Sequence, residues 1–144
     1  MKDTRVFPIV YQRSSFGCGI ASLKMVADFD GKRYPFREIR KACGKGINGT
    51  TLTHLMMGAE SLGFHSLPIR CDINDLEYKI TFPAIALWNN NHYIVIYNID
   101  EEWVYVADPA LGKLKYSYND FKNGWYVNGE NKGIVLVIDE KEAR

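Results

Sequence analysis

Cys18 stands between two glycines in the run Gln12-Arg13-Ser14-Ser15-Phe16-Gly17-Cys18-Gly19, and far downstream the chain supplies His92 before Tyr93 and Asp108 before Pro109. A thiol is a strong nucleophile only as thiolate. It needs a cation or a helix N-terminus nearby, a base to manage its proton, and donors for the oxyanion that forms when it attacks a carbonyl. Gln12, Cys18, His92 and Asp108 can fill these roles between them, and their order suggests a cysteine protease.

The elements that must position them follow from apolar spacing. From Gly19 to Phe29 the apolar residues Ile20, Leu23 and Ala27, with Met25, Val26 and Phe29, repeat at helical intervals. Cys18 therefore falls in the first turn of a helix, where unpaired N–H groups and the macrodipole favour a thiolate. Glycines on both sides leave the backbone bare for a closely approaching substrate. Pro35 opens a second, short helix ending near Cys43-Gly44, and Thr50 or Thr51 caps a third, whose Leu52, Leu55, Met56, Ala59 and Leu62 run on until Gly63. The stretches 64–71, 83–88, 92–99, 103–107, 113–116 and 134–138 read as strands divided by Asn, Asp and Gly turns. Helices first and sequential hairpins after predict an α+β fold with an antiparallel sheet. Residues 139–144 read as a run-out at the end of a single domain.

His92 begins a strand just after the turn Asn89-Asn90-Asn91, and Asp108 ends the strand that follows the next hairpin. Antiparallel pairing of the two brings these ends to one edge, where an acid beside an imidazole orients the ring and stabilises its protonated form. His54 lies in the third helical repeat and His65 inside a strand. No Cys or His spacing makes a compact metal-ligand pair, so neither metal nor cofactor is expected.

At 144 residues, 47% of them apolar and 13% aromatic, the chain can bury a sizeable core. A formal charge of +1 makes no case for a nucleic-acid partner, and no apolar run is long enough to span a bilayer. No signal peptide opens the sequence. Three cysteines form no disulfide framework and suit a reducing compartment, with Cys43 and Cys71 as core residues.

Gln12 six positions before Cys18-Gly19, then Gly49-Thr50-Thr51-Leu52, Trp88-Asn89-Asn90-Asn91-His92-Tyr93 and Ala107-Asp108-Pro109 together resemble the C39 family of bacterial cysteine peptidases, from about Val10 to Ile138. The resemblance implies a papain-like fold in which the Cys helix packs on the sheet that carries the His. It implies that Gln12 is the oxyanion donor beside the backbone N–H of Cys18. Family members cut leader peptides from bacteriocin, lantibiotic or signalling-peptide precursors after a double-glycine type motif, as cytosolic N-terminal domains of ABC transporters. The implied partners are therefore a precursor with an amphipathic helical leader, and transmembrane and ATPase domains in a longer chain. The implied location is cytoplasmic, tethered to the inner face of the membrane. Gly17 beside Cys18 and Trp88 just before the His92 turn are the expected substrate-binding residues, Trp88 as one wall of a narrow channel for two small residues.

One position departs from the family pattern: many members carry Asp immediately before the Cys, where this chain has Gly17. A carboxylate there would cap the helix or raise the thiol pKa by repulsion. The alternative reading is a leader-binding docking domain that retains its cysteine without turnover. A thiol acyl transferase with the same Cys-His-Asp logic is a third, disfavoured by the Gln12 motif and small size. Gly44-Lys45-Gly46 lacks the spacing of a phosphate loop.

Overall fold

The computed structural model describes residues 6–14, 17–44, 50–127 and 129–141. Lys45, Gly46, Gly49 and residues 142–144 of the expected run-out lie outside them. Three helices come first, α1 (Cys18–Phe29), α2 (Phe36–Cys43) and α3 (Leu52–Ser61), then β1 (Phe64–Cys71), α4 (Ile73–Lys79), β2 (Ala84–Trp88), β3 (His92–Ile99), β4 (Trp103–Asp108), β5 (Gly112–Ser117), α5 (Tyr118–Trp125) and β6 (Gly133–Glu140). The strands form one sheet in the order β1-β6-β2-β3-β4-β5, antiparallel throughout.

α1 is apolar around most of its circumference and is correspondingly buried from Cys18 to Leu23 and from Met25 to Ala27. It lies between the sheet and the other two N-terminal helices, against Ile85, Tyr93, Val95 and Leu136. The opposite sheet face carries Ala84, Ala86, Trp88, Ile94, Ile96, Val104 and Val106, covered by Leu76 of α4 and by Phe121 and Trp125 of α5. Central strand β2 is thus enclosed on both faces, which is why Ala84–Trp88 is a continuous apolar run rather than an alternation.

α2 and α3 meet through Cys43 and Gly58. A Cβ on Gly58 would lie 2.3 Å from Cys43 Sγ and 3.2 Å from its Cα. Gly58→Ala is therefore expected to overpack the interface by about 1–3 kcal/mol, more than the roughly 1 kcal/mol Ala gains over Gly in a helix. A lower urea midpoint is the expected result. A raised midpoint would show that the two helices part freely.

Two helices were not expected. α4 is capped by Asp72, whose Oδ1 accepts from Asp75 N–H at 2.8 Å, but it is short and buries only Ile73 and Leu76. α5 is written in Asn, Asp and Gly, which read as turn residues. Tertiary packing overrides that propensity: Phe121 and Trp125, one helical turn apart, are sunk into the second core. Gly124 is required there, since a Cβ would collide with the Trp88 ring at 2.3 Å. β6 also runs further than expected, with Asp139 and Glu140 paired to His65 and Phe64, so the strand takes in the start of the presumed run-out.

Candidate active site

Cys18 is the first residue of α1, with Gly17 as an N-cap that makes no side-chain capping bond. Its sulfur therefore sits among the unpaired N–H groups of the first turn, at the positive end of a twelve-residue helix. The His92 ring and the backbone N–H groups of Tyr93 and Gly19 lie near enough to the thiol to stabilise its thiolate.

His92 is placed by the triple-Asn turn. Asn89 and Asn90 both take left-handed backbone, at φ 50° and 64°, a region Asn tolerates better than other side chains. This closes the β2–β3 connection tightly enough to set His92 opposite Trp88. Asn89 N–H reaches the Gly124 carbonyl at 2.8 Å, so the unexpected helix α5 anchors the turn. At the end of β4, Asp108 is 2% exposed. Its Oδ1 accepts from His92 Nε2 at 2.8 Å and from Ala110 N–H at 2.8 Å. With Nε2 engaged, Nδ1 is the ring nitrogen left for the sulfur. The structure thus brings Cys18, His92 and Asp108 into one relay.

Electrostatics favour an ion pair within it. Burial pushes the Cys18 thiol up, but the bond from His92, the backbone N–H groups and the imidazolium charge bring it below its ordinary value. His92 is raised to about 9, first by Asp108 and then by Cys18, against the effect of its own burial. Burial likewise pushes Asp108 up, and His92 with the Ala110 and Leu111 N–H groups holds it below the usual carboxylate range. Cys43 and Cys71 differ sharply: burial, the main cause, pushes each up to about 11. Iodoacetamide should therefore alkylate Cys18 at neutral pH and spare the other two in the folded chain. Its rate should fall only as acid protonates the depressed thiol. Equal labelling of all three, read by peptide mass, would contradict this electrostatic picture.

Gln12 approaches from an extended segment without helix or strand. Its backbone N–H donates to the Pro109 carbonyl at 2.9 Å, next to Asp108, which brings it to the edge that carries the relay. Its side-chain Nε2 donates to the Ser14 carbonyl at 2.9 Å. That leaves one amide hydrogen free.

The two expected substrate-binding residues fare differently. Gly17 adjoins the thiol, and a Cβ there would meet Ser14 O and Oγ at 3.4 Å, an ordinary contact, so packing does not demand glycine. Trp88 is not a channel wall: its indole is buried against Tyr116 and Phe121 on the sheet face away from α1, where it supports the strand pair that carries His92. Gly19 also corrects the sequence reading. It is buried, and its missing side chain admits Leu55 and Thr50, each 3.2 Å from the would-be Cβ, rather than a substrate. Backbone groups of Tyr93 and Pro109 contribute as well, but main-chain donors and acceptors leave no mark in residue types. Thr51 caps α3, its Oγ1 accepting the backbone N–H of His54 at 3.2 Å, and His65 is an exposed edge residue 3.9 Å from Glu60. Among the described residues no group of three His, Cys, Asp or Glu side chains could hold a metal ion, and no helix is long and apolar enough to cross a membrane.

The chain and its fold have relatives. The lactococcin-G-processing and transport ATP-binding protein of Lactococcus lactis subsp. lactis is 28% identical over 122 residues, 81% of this chain, which spans only 17% of that protein's length. An uncharacterized protein of Methanothermobacter thermautotrophicus is 34% identical over 131 residues, 91% of this chain and 87% of its own. Among solved structures, a double glycine motif protease from an AMS/PCAT transporter, crystallised with its leader peptide, superposes with a TM-score of 0.85 at 28% identity, covering 93% of this chain and 91% of that one. The fold is papain-like, with helices packed on a six-stranded antiparallel sheet. The model of the Peptidase C39 family matches residues 6–142, a span that contains Gln12, Cys18, His92 and Asp108, and the chain belongs to that family.

Proposed function

We propose that this domain is a cysteine peptidase that removes double-glycine type leaders from peptide precursors before export. The observation that carries the reading is the relay from a thiol in the first turn of α1 through His92 to a buried carboxylate. The Cys18 thiolate attacks the scissile carbonyl carbon. The oxyanion so formed takes hydrogen bonds from the Cys18 backbone N–H and the free amide hydrogen of Gln12. As the tetrahedral adduct collapses, the leaving amine takes its proton from the His92 imidazolium, and a thioester remains on Cys18. Neutral His92 then deprotonates a water, which attacks the thioester carbonyl; the acid product leaves, and the thiolate and imidazolium are restored. Asp108 holds the ring in place throughout.

Two small residues, Gly-Gly or Gly-Ala, are the proposed sequence before the cut, because only a slim backbone passes close to Cys18. An amphipathic leader helix docking away from the thiol is the proposed source of affinity. The 28% identical protease bound to a leader peptide supports this substrate class, and the lactococcin-G relative supports transmembrane and ATPase partners with the domain on the cytoplasmic side of a membrane. A docking-only domain would have no use for a buried acid and a raised imidazole aimed at a thiol, which argues against that alternative. Incubation with a double-glycine precursor, read by mass, tests the proposal: two products split after the small pair are expected. Gly to Val before the cut should stop cleavage, and Ser on the leader's apolar face should raise KM. Failure to cut any such precursor, with the leader still bound, would favour docking without turnover.

A further inference from the structure

Gln12 alone among the four residues lies on neither a helix nor a strand, and its side chain is poorly provided for. Nε2 has the Ser14 carbonyl, but Oε1 is buried and receives no hydrogen bond from any described residue. A buried acceptor in that state is less favourable than one hydrated in water. Where the amide sits depends on how the backbone beneath it is held.

Its two neighbours do this from opposite directions. The Tyr11 ring lies on Gly112, the first residue of β5, with Oη 2.9 Å from where a Cβ would stand and Cε1 and Cζ at 3.8 Å. The positive φ of +100° favours glycine there, and its missing Cβ leaves the space that the Tyr11 ring takes. On the other side, the Arg13 guanidinium sits 4.1 Å over the ring of Phe36, the first residue of α2. Between them the Gln12 N–H is tied to the Pro109 carbonyl. Further back, Phe7 anchors the segment by stacking on Tyr97 at 5.0 Å. Both neighbours are exposed, Tyr11 at 56%, so neither is placed to contribute much to global stability.

We propose that Tyr11 and Arg13 are positioning residues which clamp the Gln12 backbone between the β4–β5 turn and the start of α2, and so keep its amide available to the oxyanion. This rests on the reading of Gln12 as oxyanion donor. The test is a set of mutant cycles on precursor cleavage: Tyr11→Ala and Arg13→Ala, each alone and in a Gln12→Ala background, with Tyr11→Phe and Arg13→Lys as conservative variants. Phe36→Leu, which removes the ring under Arg13, keeps the test open if Arg13→Ala fails to fold; Tyr11→Leu does so for Tyr11→Ala. Gln12→Ala should lower kcat by about 10² to 10³. Tyr11→Ala and Arg13→Ala should each lower kcat by about tenfold with KM nearly unchanged, as a displaced catalytic group does. Tyr11→Phe should restore most of the rate, and Arg13→Lys part of it. The rate of Cys18 alkylation should not change, because the relay is untouched. In the Gln12→Ala background neither alanine should cost anything more. Additive losses, or effects confined to KM, would make the two residues substrate contacts and overturn the clamp. Wild-type kcat in both alanine variants beside an impaired Gln12→Ala would overturn it too, whereas an unimpaired Gln12→Ala would overturn the oxyanion reading itself.

Discussion

Cys18→Ala is expected to abolish precursor cleavage, by about 10⁴-fold or more, with the fold intact and the precursor still bound. In the proposed mechanism the sulfur supplies the electron pair that attacks the carbonyl, and no other described side chain in the relay can replace it. Alanine suits the first turn of a helix, and the neighbouring helix positions are fixed by α1 packing on the sheet, not by the thiol. Cys18 is also an electrostatic partner of His92, but the 2.8 Å bond that holds the ring to Asp108 does not involve the sulfur. The urea midpoint should therefore move little, by the equivalent of about 1 kcal/mol or less. A stable complex of the variant with uncut precursor, isolated by gel filtration, is the positive sign. Cleavage at even a hundredth of the wild-type rate would place the nucleophile elsewhere. The cycle with His92→Ala sharpens the point: residues that act as one unit lose nothing further when the second is removed.

That constellation could be read in residue types because each member carries chemistry that few side chains share, and because helical spacing after Gly19 and the turn before His92 locate two element ends. α1, α2 and α3 follow from their apolar repeats and from Thr51 and Gly63, which cap and stop α3. α5 was hidden for a physical reason. Its Asn, Asp and Gly residues favour turns locally, and only the packing of Phe121 and Trp125 beneath the sheet makes a helix of them. Trp88 lies elsewhere than expected for a related reason: a position near His92 in sequence does not say which sheet face the side chain takes. Strand alternation puts Trp88 with Ala84 and Ala86, away from α1. Gly19 was misread because close approach by a substrate and close approach by α3 make the same demand on a residue without a Cβ. The Gln12–Pro109 and Tyr93–Cys18 contacts join segments far apart in the chain through backbone atoms, which every residue type offers equally.

His92→Ala is expected to be nearly as inactive as Cys18→Ala, whereas Asp108→Asn should be slower but still measurable, because the acid orients the ring and does not itself react. Removing the imidazole takes away the cation that depresses the thiol, the acid that protonates the leaving amine and the base that activates water. Burial, which pushes the thiol up, then acts with far less opposition. Asp108 presents Oδ1 to both His92 Nε2 and Ala110 N–H. An Asn side chain can offer its carbonyl oxygen to the same two donors, so the ring keeps its orientation and tautomer and loses only the charge beside it. The hydrogen bond to the carboxylate is the first cause of the raised His92 value of about 9, and the carboxylate's charge adds to it. In the wild type the imidazolium needed for leaving-group protonation persists up to that pH and is lost as pH rises through it. In Asp108→Asn the same loss should occur at lower pH, so the alkaline limb of the kcat/KM profile moves toward neutrality. Alkylation of Cys18 should at the same time require a higher pH, since a weaker cation depresses the thiol less. An Asp108→Asn variant with wild-type activity, or with its alkaline limb unmoved, would mean that Asp108 is not what raises His92.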